Sequence, residues 1–147
     1  MPSFRTDLAY GKAAEAQIAA AVVEALYPSG VAVRWPETAL VDFVIIQNAV
    51  VVAALEVKRR RVPSTAFNET ILPEAIVRTG VELTERLKVP LLAAIAFSDD
   101  TLFVFRVTPQ SKIVQIPNRA GRPIPHHCFS LAGEGVIRLK TDFLKAL

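Results

Sequence analysis

Asp42, Glu56 and Lys58 are the residues of this chain whose types and spacing could do chemistry. The apolar run Ala54-Leu55-Glu56-Val57-Lys58 ends on a carboxylate and an ammonium two residues apart. Strand side chains alternate faces, so Glu56 and Lys58 project from one side and Leu55 and Val57 from the other. Upstream, positions 42 to 47 and 50 to 58 both read as strands, and the Gln47-Asn48-Ala49 connection is hairpin-sized. Pairing outward from that turn brings Asp42 opposite Glu56, to within about one residue of register. Opposed Cβ atoms on neighbouring strands lie about 5 Å apart, close enough for two carboxylates to share a divalent cation. Without a cation two opposed carboxylates repel, and a hard metal such as Mg2+ suits oxygen ligands. Lys58 would then stabilise charge developing on a reacting phosphate. The competing reading is a cross-strand salt bridge at a strand end, with Lys58 neutralising either acid.

Glu15 adds a third acid. On a helix of about 7 to 26, Leu8, Gly11, Ile18, Val22 and Leu26 fall within roughly 60° of Glu15, whereas Gln17 and Glu24 lie opposite. A carboxylate on an apolar stripe needs a cation, a proton or an opening to a cleft, because burying it unpaired costs several kcal/mol. A partner cation at the mouth of the core would satisfy it equally well.

Together, Gly11-x-x-x-Glu15, Asp42 and Glu56-Val57-Lys58 resemble the PD-(D/E)XK nuclease superfamily and, within it, the archaeal-type Holliday junction resolvases. The likeness runs from about Tyr10 to Pro109, through Gly-Lys-Ala-Ala-Glu, Val-Asp-Phe-Val, Leu-Glu-Val-Lys, Val-Pro-Leu-Leu-Ala-Ala and Phe-Val-Phe-Arg-Val-Thr-Pro. Val41 stands where the superfamily name has proline, and Trp35-Pro36-Glu37-Thr38-Ala39 where resolvases carry a small Gly/Ser-rich loop. The resemblance implies an α/β fold with a restriction-endonuclease-like αβββαβ core, a mixed sheet flanked by helices. It implies Asp42, Glu56 and the Val57 carbonyl as ligands of Mg2+, which Mn2+ could replace. Glu15 would complete the acidic set and Lys58 would be the catalytic lysine. Within the departing loop the Thr38 hydroxyl is a candidate phosphate contact, and Lys12 on the first helix is a further candidate contact to DNA. The resemblance further implies a branched substrate such as a four-way junction, and a twofold homodimer. Two alternatives stay open: a nuclease of this core acting on nicked, flapped or duplex DNA, and a noncatalytic DNA-binding module of the same fold.

The elements that must position these residues follow in order. Pro28-Ser29-Gly30 stops the first helix. A strand at about 31 to 35 precedes the site hairpin, and positions 62 to 73 form a long connection without a clear period, of the kind that often reaches a ligand or partner. A second helix at about 74 to 88 has Ile76, Gly80, Leu83 and Leu87 on one stripe. Positions 91 to 97 and 102 to 107 read as buried strands around Ser98-Asp99-Asp100. Beyond Pro109, Pro117, Gly121, Pro123 and Pro125 break regular structure before an edge strand at about 136 to 140 and a short helical turn.

At 147 residues the chain is expected to form one nuclease domain, with a core of about 7 to 109 and a basic extension at 110 to 147. Apolar residues make up 52%, yet charges interrupt every run long enough to span a bilayer. The N-terminus lacks the apolar centre of a secretion signal, and a single cysteine, Cys128, fits a reducing cytoplasm. The excess apolar content has an outlet in a subunit interface. Of the net +3 charge, the last third carries the surplus, seven basic side chains against two acidic. Lys58-Arg59-Arg60-Arg61 adds a cluster directly after the acids, and Arg59, Arg60 and Arg61 are expected to contact DNA phosphates. His126-His127-Cys128 cannot converge on one tetrahedral zinc, being consecutive. No phosphate-cradling glycine loop or nucleophile elbow is present, which argues against an ATPase or a serine hydrolase.

Overall fold

The computed structural model describes residues 4–36, 41–109 and 112–141, the side chains of residues 4–11 excepted. Thr38 and the C-terminal helical turn lie outside the described residues. Alanine-rich sequence, the strongest of helix formers, carries α1 (Phe4–Leu26), which starts earlier than the expected 7. Helix α1 ends where Ser29 turns to φ 67° and the Gly30 N–H bonds the Tyr27 carbonyl at 2.8 Å. A Cβ on Gly30 would meet that same oxygen at 2.8 Å, so the turn requires glycine.

Next come β1 (Val31–Arg34), β2 (Phe43–Gln47) and β3 (Val50–Arg59). They are followed by β4 (Glu69–Pro73), α2 (Glu74–Leu87), β5 (Leu91–Ala96) and β6 (Thr101–Arg106), then β7 (Lys112–Pro117), β8 (Pro123–Ser130) and β9 (Ile137–Lys140). The main sheet runs β1-β2-β3-β5-β6-β9, with β3 and β5 parallel and the other neighbours antiparallel. It is therefore the expected mixed sheet, with helices on its faces.

The core has two halves, one on each face. Helix α1 buries Ile18, Ala19, Val22 and Val23 against Phe43, Ile45, Leu55, Val57 and Ala94. On the other face, Val77 of α2 with Leu72 and Phe129 of the second sheet cover Ala54, Leu91, Ala93, Ile95 and Phe103. Strands β3 and β5 are thus buried on both sides, as a parallel pair requires. Gly80 lets α2 approach closely, since a Cβ there would meet Leu91 Cδ2 at 3.1 Å. Leu87, expected on the buried stripe, is exposed, and Val77 and Thr79 are buried instead.

Two expectations need correction. The segment 62 to 73 is not structureless: Thr70 and Leu72 alternate inward with Glu69 outward, a strand period too short to stand out between prolines. The proline-rich tail is not irregular either. Strands β7 and β8 form a hairpin that joins β4 in a second antiparallel sheet, ordered β4-β8-β7. Pairing between β4 and β8 stops at Pro73 opposite His126, so Pro123 and Pro125 lie past the end of β4 and need no N–H on that side. The tail is hence built into the fold, and β9 forms the expected edge strand.

Candidate active site

Asn48 and Ala49 take φ values of 52° and 65°, the left-handed pair of a two-residue hairpin turn. Gln47 then pairs with Val50 and Ile46 with Val51. Continued unbroken, that register would set Asp42 across from Leu55, on the wrong face of β3. A bulge at Val52 shifts it by one, so that Ile45 meets Ala53 and Phe43 meets Leu55. Asp42 thereby comes level with Glu56. Its Oδ2 accepts the Val57 N–H at 2.8 Å, and its own N–H bonds the Leu55 carbonyl at 3.2 Å. Val41, in the position of the superfamily's proline, is buried in the core under the second sheet.

Glu56 is 5% exposed and flanked by Ala54 on its own strand and Ala93 on β5, both buried. Lys58 Nζ lies 3.2 Å from Glu56 Oε1, while Oε2 is buried with no hydrogen-bond partner. Burial foremost, and the Asp42 carboxylate next, push the Glu56 carboxyl up to about 7 from an ordinary 4.5. Lys58 pulls the other way, and Glu15 adds a smaller repulsion. A buried carboxylate with an orphaned oxygen beside a second carboxylate is what a bound cation relieves.

Glu15 is half-buried and takes a partner that the sequence did not signal. Arg34 of β1 bonds Glu15 Oε2 at 3.0 Å and the Lys12 carbonyl at 2.9 Å, and lies over the Phe43 ring at 4.6 Å. Among the described residues, no three His, Cys, Asp or Glu side chains converge as a metal-binding group. Asp42 and Glu56 are therefore the pair the fold brings together, and Glu15 stands aside on Arg34. A pair of carboxylates fits a hard divalent cation, which takes oxygen donors.

Arg59, the last residue of β3, and Arg61, two positions beyond it, are exposed. Arg60 is half-buried and donates to the Ile71 carbonyl at 2.9 Å, tying β4 to β3. Lys12 is half-buried on α1. His127 is buried within β8, apart from the acidic pair in sequence and sheet.

The sequence model of a family described as "Phage putative PDDEXK endonuclease" matches residues 5–123, well over half of the chain. The chain belongs to this PDDEXK endonuclease family. Nucleases of the family generally use divalent metals, in keeping with the paired carboxylates of this PDDEXK chain. Among solved structures, the chain is similar to Hjc of Archaeoglobus fulgidus, a Holliday junction resolvase from an archaeal hyperthermophile. The two share 16% identity at a TM-score of 0.47, over 73% of this chain and 82% of that one. No curated protein matches the chain.

Proposed function

We propose that this PDDEXK protein is a Mg2+-dependent, structure-specific DNA endonuclease acting on branched DNA such as four-way junctions. The observation that carries the chemistry is the buried, unpartnered Glu56 Oε2 beside Asp42, with Lys58 Nζ on the other Glu56 oxygen. Asp42 and Glu56 would hold the cation, with the Val57 carbonyl as a further donor. When bound, the cation lowers the pKa of a coordinated water and polarises the phosphate. Asp42 is held in place by the Val57 N–H and Glu56 by Lys58 and the packed walls around it. Lys58 supplies a compact positive charge for the non-bridging oxygens as phosphorus is attacked in line, leaving a 5′-phosphate and a 3′-hydroxyl. Arg59 and Arg61, exposed and contiguous with the site strand, would hold the flanking backbone, with Lys12, Arg60 and Thr38 as further contacts.

Paired cuts in a four-way junction call for two sites related by a twofold axis. An exposed apolar row supports a homodimer. Val31, Ile46 and Val51 lie abreast on β1, β2 and β3, with Val33 and Trp35 following along the edge strand. Val31, Val33, Trp35 and Val51 are all exposed. Trp35 donates its N–H to the Asp42 carbonyl at 2.9 Å, so the row adjoins the acidic pair.

The test is cleavage of a labelled four-way junction beside its linear duplex, in Mg2+ or EDTA, for wild type and Glu56→Ala. Symmetric nicking of the junction alone, dependent on Mg2+ and lost in the variant, is expected. Cutting of both substrates would remove the junction preference. Binding without cutting of either would leave a DNA-binding module.

A further inference from the structure

The segment between β3 and β4 is fastened at several points. Arg60 N–H bonds the Ala96 carbonyl, and the Val62 carbonyl accepts the Ser98 N–H. The N–H and hydroxyl of Ser64 both donate to Asp99 Oδ2, at 3.0 and 2.6 Å, and the Asn68 carbonyl accepts the Leu131 N–H at 2.9 Å. Between these anchors Phe67 is 66% exposed and belongs to neither half of the core. With 66% of its surface in water, the Phe67 ring contributes little to folding.

Phe67 lines an open cavity of about 790 Å³ together with Lys58, Arg60, Arg61, Asn68 and His126. Among the described residues, Glu69 is the one carboxylate in its wall. Three cationic side chains and an exposed aromatic ring suit a nucleotide, whose phosphate is anionic and whose base has a π-face. The volume is within the range that encloses a small organic ligand. Lys58 belongs both to this wall and to the pair with Glu56, so the cavity opens directly beside the acidic site. Bases within a duplex are stacked and out of reach, so only a nucleotide outside the stack can enter.

We infer that Phe67 is the stacking platform for one unpaired nucleobase next to the scissile phosphate, with Arg61 on that nucleotide's phosphate. The inference rests on the nuclease reading and adds to it a means of telling branched DNA from plain duplex. A branch point or flap supplies the unstacked base, and intact duplex does not.

The experiment uses Glu56→Gln protein, so that nothing is cut, and a duplex bearing a one-nucleotide 2-aminopurine flap, with fully paired duplex as the control. In this background Phe67→Ala and Phe67→Leu should weaken flap binding by roughly 5- to 150-fold, the range for loss of one base–aromatic stack. Phe67→Trp should restore it, quenching of 2-aminopurine should follow the same order, and paired-duplex affinity should stay unchanged. Equal loss on both DNAs, unaltered flap affinity, or full retention by Phe67→Leu would overturn the inference. Failure of the nuclease reading is seen separately: wild type that discriminates the flap but never cuts would sink the nuclease and spare the Phe67 platform.

Discussion

At the scale of single residues, Glu56 shows how a site can oppose its own fold. Its carboxyl is raised to about 7 in the folded chain from 4.5, so the folded state holds a proton that the unfolded state has released. Stability contributed by the protonated form is present below about pH 4.5 and is lost as pH rises toward 7. Glu56→Gln should therefore stabilise the metal-free protein at pH 8 by roughly 1–3 kcal/mol and leave it nearly unchanged at pH 4.5. Urea melts in EDTA at the two pH values measure this. A variant less stable than wild type at pH 8 would mean that the Lys58 contact outweighs burial. Glu15 presents the contrasting case. Its carboxylate on the apolar stripe is matched by Arg34, so its burial is satisfied without a metal.

At the scale of elements, the alignment of the acids depends on Val52. Inserting an alanine after Val52 while the single bulge is kept should set Asp42 opposite Leu55, on the other face from Glu56. The expected result is loss of divalent-cation binding by isothermal titration, with the far-ultraviolet spectrum of the sheet retained. Cation binding at wild-type strength would show that the ladder takes up the extra residue without losing the alignment. The loop bearing Phe67 depends on Asp99 in the same way. Hydrogen bonds from Ser64 and Thr101 outweigh desolvation and hold its carboxyl down to about 2, below an ordinary 3.8. Stability from those bonds is present above about pH 4 and disappears as pH falls through 2. Asp99→Ala should cost roughly 2 kcal/mol at pH 7 and make residues 62 to 68 exchange amide hydrogens faster than the main sheet. Unchanged exchange there would show that the backbone bonds alone secure the loop.

At the scale of the whole molecule, the two faces of the main sheet are used differently. Helix α1 covers one, while α2 and the second sheet cover the other only toward β5. The β1 end is left with Val31, Val33, Trp35 and Val51 in water. If this is the dimer contact, Val33→Lys with Trp35→Lys should convert dimer to monomer in sedimentation velocity while raising solubility. A wild type that sediments as a monomer at micromolar concentration would remove the paired-cut reading and leave the nuclease chemistry intact. No helix among the described residues is long and apolar enough to cross a membrane.

The sequence by itself determined which residues are candidates for chemistry and in what order most of the elements follow. Period-two and period-3.6 patterns are local, so α1, the site hairpin, α2 and the strands β5 and β6 could be read from neighbouring residues. The types and spacing of Asp42, Glu56 and Lys58 were legible for the same reason. Strand β4 and the β7–β8 hairpin were not, because β4 is short and Pro123 and Pro125 read as breaks unless β4 is known to end before them, a fact of pairing between distant segments. Tertiary structure alone decided that Arg34 takes up Glu15, that Arg60 is spent on Ile71, and that Val52 adds the extra residue which brings Asp42 level with Glu56. It also decided that Phe67 stands in water beside Lys58, since contacts across the fold, rather than local propensity, settle which apolar side chains are left uncovered.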